Sequence, residues 1–498
     1  MKRILYRPVM ALFAGVILLT MGCKKFLEKA PDMRTDLNSV EKVKSLLVTA
    51  YSDGNYIPMM ESASDNAGDK GPLAPSIYLY EINRGPFMFE DVTGENGQDA
   101  PNYVWNNLYE AISAANHALR AIEEVDQDKE DYLPYKGEAL LCRAYAHFML
   151  VTLYAHAYDP ADAAQHPGVP YVTEPGTVVQ AQYDRKTVAY VYEMIEKDLE
   201  DGLPLISNSA YEVPKFHFNR QAAHAFAARF YLFKREYDKV VQHANQVFPG
   251  GDFSNGLRPW ISVYNNWETE EIRVNYTRSN ETANLMLIET TSWWGRRYYR
   301  YRYGLTQSLI NQILKNAQNN VIKKAWGQRT SSYNSSTNFR MNKFDEYFVY
   351  HTASTGIGKN MIPAFSSEEV LFNRAEAYAY LGDYESALND LNLYASQRIA
   401  GYNPSTDRVT LAKIESFYGV EDPTEGVVKT VLDFKRAEFI QEGIRWFDIL
   451  RHKITVTHEV LNADGNVEKT IVVPHSDPRR MFQLPPEVSL AGIDPNPR

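Results

Sequence analysis

"SEEVLFNRAEAYAYLGDYESALNDLNLYASQR", residues 367–398, is the stretch from which the fold can be read. Ala375 and Ala387 lie twelve positions apart, where the two helices of a tetratricopeptide repeat meet, and bulky residues surround them. Small side chains there let the helices approach closely. A displacement of 147 positions finds a second, degenerate copy, "ARFYLFKREYDKV" from Ala228. It sets Ala228 on Ala375, Tyr231 on Tyr378, Tyr237 on Tyr384 and Val240 on Ala387. Two unrelated helical hairpins are the alternative, because one good repeat is not an array.

Helical periodicity extends outward from these copies. "TDLNSVEKVKSLLVTAYSDGNY" predicts a first helix, capped by Asn38 or Ser39, with Val43, Leu46, Leu47 and Ala50 on one face. Residues 52–104 read as a long irregular stretch, rich in Gly, Pro, Asn and Asp. Trp105, Leu108, Ile112, Ala115, Leu119 and Ile122 step by three and four through 103–125. "LPYKGEALLCRAYAHFMLVTLYAHAY" is apolar on most sides and predicts a buried helix, with Cys142 as a small hydrophobe inside it. "DPADAAQHPGVPYVTEPGT" reads as a loop, followed by helices at about 186–201 and 219–248. Residues 249–370 are poor in helical signal except near 305–324, and "KITVTHEVLNADGNVEKTIVVP" predicts a hairpin turning at Asp464-Gly465. The fold class is mainly α: a helical-pair scaffold with long irregular insertions and a small C-terminal β-hairpin, not an alternating βαβ protein.

The start of the chain reads as an export signal. Lys2, Arg3 and Arg7 precede the apolar run "VMALFAGVILLTMG", which is short for a bilayer span and ends at Cys23. "LLTMGC" resembles a bacterial lipobox, with cleavage before a lipid-bearing Cys23. Removing residues 1–22 would take the formal net charge from −10 to −13. Such an acidic exported chain is poorly suited to nucleic acid.

Two stretches carry binding character. "SWWGRRYYRYRYG", residues 292–304, combines six aromatics with four arginines. Read as a strand from Tyr298 to Tyr303, it puts Tyr299, Tyr301 and Tyr303 on one face. The adjacent Trp293 and Trp294 would point one outward and one inward. Exposed rings suit the C–H face of a sugar, and arginines suit its hydroxyls or an acidic group. The same residues can instead pack an internal strand. The second stretch is "LAPSIYLYEINRGPFMFEDVTGENGQDAPNYVW". The candidate ligand contacts are Trp293, Trp294, Arg296, Tyr298 and Tyr299 from the first, and Tyr78, Tyr80, Arg84 and Asn96 from the second.

Chemistry-bearing motifs are sparse. HExxH, CxxC and the P-loop are absent, and no cofactor or metal is expected. "TGIGKN" lacks the strand–helix context of a dinucleotide turn. His217 and His224 would share a face only if their segment were helical. Asp65, Asn66 and Asp69 lack the spacing of a calcium loop. In "EGIRWFDILRHKI", Glu442, Arg445, Asp448 and Arg451 read as a structural ion-pair ladder.

These segments, in order, resemble the SusD/RagB outer-membrane lipoproteins of Bacteroidetes. The resemblance rests on "CKKFLEKAPD", "TDLNSVEKVKSLLVTAYS", "VWNNLYEAISAAN", "ALLCRAYAHFMLVTLYA" with "GVPYVTEP", the 367–398 repeat, "FKRAEFIQEGIRWFDILRH" and "FQLPPEV" with "DPNPR". Lys435-Arg436 stands where the family often has Glu-Arg, and "KKFLEK" after Cys23 is mixed rather than acidic. The resemblance implies about four tetratricopeptide-like helical pairs and a leader over 1–22. It also implies an N-terminal region, 23–230, packed with a C-terminal region, 231–498, as one unit. It further implies a lipid-anchored, non-catalytic protein on the outer membrane, facing the cell exterior. Such a protein captures an oligosaccharide and delivers it to a SusC-like TonB-dependent transporter. A peptide cargo, a secreted glycosidase and a pure protein scaffold are the competing readings.

Overall fold

The computed structural model describes residues 37–72, 74, 80–176, 182–332, 337–344 and 346–498. The leader over 1–22, Cys23 and Tyr78 lie outside the described residues, and so does the side chain of Tyr80.

Local capping chemistry sets most of the helix starts. Ser39 caps α1 (Val40–Leu47) by accepting from the Lys42 backbone N–H, while Asn38 instead accepts from the Lys42 ammonium at 2.9 Å. The stretch expected to be irregular holds two short helices, α2 (Ile57–Ala63) and α3 (Tyr80–Met88). Every residue of α2 is buried, so it shows no amphipathic period, and α3 contains Pro86, which reads as a helix breaker in sequence. Next come α4 (Pro101–Glu123), α5 (Leu133–Tyr154) and α6 (Val188–Gly202). In α5 nearly every side chain beyond Lys136 is buried, Cys142 included. Close packing of α5 on α6 depends on glycine. A Cβ on Gly137 would lie 2.8 Å from the Gly202 carbonyl, and one on Gly202 would lie 2.9 Å from Leu140 Cβ.

The remaining α-helices of seven or more residues are α7 (Arg220–Lys234), α8 (Tyr237–Ala244), α9 (Thr269–Tyr276), α10 (Ser367–Tyr380), α11 (Tyr384–Arg398), α12 (Leu411–Tyr418), α13 (Pro423–Glu438) and α14 (Arg445–Arg451). Among the described residues, the sequence-adjacent pairs α4/α5, α7/α8, α10/α11 and α12/α13 make up the tetratricopeptide-like scaffold, and α5 packs on α6 and α2 on α3 as well. The internal repeat survives in the boundaries. Arg220 to Ser367 and Tyr237 to Tyr384 are both displacements of 147 positions, and the caps Asn219 and Ser366 keep the same offset. Ala228, Val240, Ala375 and Ala387 are all fully buried. Tyr237 stacks on Tyr380 at 4.3 Å where α8 meets α10.

The long insertion between the two copies supplies a three-stranded antiparallel sheet. It comprises β1 (Asn284–Thr291), β2 (Glu346–Tyr350) and β3 (Gly356–Ser366), in the order β1-β3-β2, with β2 at the edge. The expected C-terminal hairpin is β4 (Val456–Leu461) paired with β5 (Val467–Val473), with Gly465 at φ +81° in its turn.

Beneath the sheet and helices runs a buried ionic network. Arg398 binds Glu438 at 2.7 Å and Glu368 at 2.9 Å, and Arg258 binds Glu368 at 2.7 Å. Lys343 binds Glu442 at 2.6 Å. Of the predicted ladder only Asp448–Arg451, at 2.8 Å, forms within the helix; Arg445 turns instead to Asp65 at 2.9 Å. Asp69 is held by Arg302 at 2.8 Å, so Asp65 and Asp69 are both paired with guanidinium groups.

Candidate functional site

The two stretches singled out from sequence meet in space. Asp99 accepts from Ser292 Oγ and from the Trp293 backbone N–H at 2.8 Å. Asn83 donates to the Tyr303 carbonyl at 2.8 Å and accepts from its N–H at 3.1 Å. Phe87 stacks on Tyr303 at 4.3 Å.

Residues 294–300 are not a strand. They form one helical turn (Trp294–Arg297) and one 3-10 turn (Tyr298–Arg300). That geometry changes what each predicted contact can offer. Trp294, Tyr298 and Tyr299 are only 3%, 3% and 5% exposed, so they present no open platform. Trp294 donates Nε1–H to the Gln441 carbonyl at 3.2 Å, and Tyr298 packs edge-on against Phe344. The short helical turn throws these rings inward, where burial of their large apolar faces is most favourable. Trp293 stays half-buried, and Arg296 projects into solvent, 3.6 Å from Glu346. Arg84 pairs with Glu90 and, at 3.5 Å, with Glu81 on α3. Asn96 is exposed and accepts from Asn102 Nδ2 at 2.9 Å.

Around Trp293 lies a surface that sequence reasoning missed. In the β2–β3 pair, Phe348 faces Gly358 and Tyr350 faces Gly356. Alternation puts Glu346, Phe348 and Tyr350 on one face of this edge strand. A Cβ on Gly358 would lie 3.2 Å from the Trp293 ring and 3.1 Å from the Glu346 carboxylate. Glycine there lets the Trp293 ring and the Glu346 carboxylate lie close over the strand backbone, with Phe348 likewise against Gly356 and Tyr350 beside it. Phe348 and Tyr350 meet edge-on at 4.8 Å, and Tyr350 is 66% exposed. Arg297 sits 4.1 Å from the Trp293 ring centre and steadies it by a cation–π contact. The opposite face of the strand is occupied by polar pairs: Lys359 forms an ion pair with Asp53 at 2.7 Å, and the Tyr347 hydroxyl donates to Glu289. The sequence signal was present in "EYFVY" beside "GIG", an alternating aromatic strand next to paired glycines.

Asp99 supports this surface from below. Burial pushes its carboxyl up to about 7, against the pull of Ser292, the Trp293 N–H and Arg297. The folded protein therefore keeps a proton on Asp99 that the unfolded chain releases, and stability falls as pH rises from about 4 to about 7. The gap between 3.8 and about 7 is worth up to ~4 kcal/mol. Asp99→Asn is expected to flatten the pH dependence over that window. Urea unfolding of both proteins from about pH 4 to about pH 8 measures it, and parallel curves would refute the assignment.

Two family models match the chain in tandem. Residues 25–232 match one described as starch-binding and associating with the outer membrane, and residues 262–479 match that of the SusD family. The chain belongs to the SusD/RagB family. Among solved structures, a SusD superfamily protein from Bacteroides vulgatus matches this SusD/RagB chain at a TM-score of 0.66 and 21% identity, over 91% of this chain and 97% of that one. A SusD-like carbohydrate binding protein from the same organism matches at 0.65 and 16%, over 91% and 96%. A laminarin binding SusD-like protein matches at 0.55 and 17%, over 92% and 99%. These likenesses show the SusD fold. No curated sequence matches. Among the described residues, no helix is long and apolar enough to cross a membrane.

Proposed function

We propose that this protein captures an oligosaccharide on the Trp293–Phe348–Tyr350 arc and delivers it to a SusC-like TonB-dependent transporter. Cys23 carries the lipid that holds it on the outer membrane, facing the cell exterior. The observation that supports this reading best is the arc itself: Trp293 and Phe348 lie close over Gly358 and Gly356, Tyr350 stands exposed beside them, and Arg296 and Glu346 are at hand for hydroxyl groups. Sugar rings stack on such surfaces by their C–H faces, and polar neighbours fix their orientation. The names of the structural neighbours, one of them laminarin-binding, point to the same class of cargo.

The role is binding without catalysis. Glycoside hydrolysis needs two carboxyl groups flanking the bond. On the arc's face Glu346 stands beside Arg296, while Glu289 lies on the other face of the sheet and Asp99 is sealed beneath. Incubation with a polysaccharide panel is expected to release no product.

Tyr350→Ala and Trp293→Ala are each expected to weaken binding of laminarin oligosaccharides, or of the best glycan from an array, by about tenfold or more. Tyr350→Ala should leave the melting temperature unchanged, since that ring is mostly in solvent. Calorimetry showing wild-type affinity in both variants would remove the arc as the site. A peptide cargo is the second reading, favoured by the position of β2 at the sheet edge, where an extended chain can add as a further strand. Peptide binding that survives loss of both rings would favour it.

A further inference from the structure

The connection between α5 and α6 carries a cluster that the glycan-binding reading does not use. His156, Asp162 and His166, spaced H-x5-D-x3-H, each offer one ligand atom, and these atoms all lie within 4.8 Å of one another. The two imidazoles lie nearly parallel, 3.8 Å between centres and 11° between planes. His166 Nε2 is 3.6 Å from Asp162 Oδ2. The other oxygen, Asp162 Oδ1, is shielded from solvent and accepts no hydrogen bond from any described residue. That oxygen has room for a further partner, such as a water or an ion. His156 Nδ1 lies 2.9 Å from the Ala157 carbonyl. That bond places the ring proton on Nδ1 and leaves Nε2 with its lone pair, as in many metal-binding imidazoles.

The backbone around the cluster is fastened on several sides. Asp162 N–H and Ala163 N–H both donate to the Asp159 carbonyl, at 3.1 and 2.8 Å. The His166 carbonyl accepts from the Val188 N–H at 2.9 Å, and the Ala163 carbonyl accepts from the Ala189 N–H at 3.1 Å, which ties both to the first turn of α6. Asp159 is anchored in turn by Lys453 at 2.9 Å and Arg235 at 3.1 Å.

We infer that His156, Asp162 and His166 form a binding site for a zinc-class divalent cation. Two imidazole nitrogens and one carboxylate oxygen suit zinc, cobalt or nickel, whereas calcium requires six or more oxygens. Tetrahedral bonds of ~2.0–2.1 Å bring ligand atoms to ~3.4 Å of one another. All three side chains are partly exposed, so small side-chain rotations can close that gap. Solvent access also leaves the fourth position to water. The ion would clip the α5–α6 connection into a closed loop, independently of the glycan arc.

The test uses tag-free mature protein, stripped with chelator and titrated with Co2+, then with Zn2+ in competition. One equivalent should bind, giving the visible absorption of a tetrahedral Co2+ complex, and Zn2+ should displace it. His166→Ala and Asp162→Asn should each weaken binding by about 100-fold or more, because a direct bond to the ion is lost. His224→Ala should bind as wild type does; it removes the molecule's other close histidine pair, His224 and His243, whose Nδ1 atoms are 3.0 Å apart. Asp162→Asn conserves shape, and circular dichroism confirms its fold. Wild-type protein that takes up no Co2+, equal affinity in His166→Ala, or loss of the signal in His224→Ala would each overturn the site.

Discussion

Glu438→Ala should cost about 3–5 kcal/mol of stability, or prevent folding altogether. Glu438 accepts from Arg398 at 2.7 and 3.0 Å, from Tyr394 Oη at 3.0 Å and from Gln328 Nε2 at 3.0 Å. Both partners of the central pair are fully enclosed. Burial alone would favour a neutral Glu438, but the Arg398 guanidinium overrides it and holds the carboxyl well below the usual range. Removing that carboxylate leaves Arg398 with only Glu368 for a counter-charge, and Glu368 is already shared with Arg258. The loss is a large share of a typical domain's 5–15 kcal/mol. Urea unfolding followed by circular dichroism measures it. A change below about 1 kcal/mol would mean that the interior tolerates an unpaired charge and that the network is not what binds α10, α11 and α13 together.

Trp294→Ala is expected to cost about 3–5 kcal/mol, in contrast to its neighbour Trp293. Trp294 is enclosed, lies 5.3 Å from the Tyr298 ring and 6.0 Å from the Tyr301 ring, and donates across to Gln441. Truncation opens a cavity and leaves the Gln441 carbonyl without that donor. Trp293→Ala removes a half-exposed ring and should affect cargo affinity more than stability. The adjacent tryptophans therefore separate the two properties. If melting temperature fell more in Trp293→Ala than in Trp294→Ala, the inward–outward assignment would be reversed.

The helical frame could be read from sequence because its signals are local. Small residues at 228 and 375 and the aromatic residues around them follow a helical period. The hairpin announced itself through alternation and Asp464-Gly465. What escaped was set by tertiary context. An enclosed helix such as α2 has no polar face to reveal its period. The stretch at 294–300 carries alternating Tyr and Arg, yet it turns helically because its rings find a pocket against Phe344 and Gln441. Composition singled out two separate aromatic stretches, and only the structure brings Trp293 onto Asp99, because a cluster of aromatics states neither its tertiary partner nor which rings face water. Phe348 and Tyr350 lie on a five-residue edge strand, too short an alternation to stand out from sequence alone.

Every side chain of the proposed arc comes from one continuous excursion of the chain, entered from α8 and left into α10, and those two helices belong to matching hairpins. The frame on either side can stay as it is when that excursion changes, provided the inward partners of Trp294, Arg302 and Lys343 are kept. Transplanting residues 284–366 as a single cassette between relatives of the same architecture should therefore move cargo preference with it, and evolution has the same economical route to new diets.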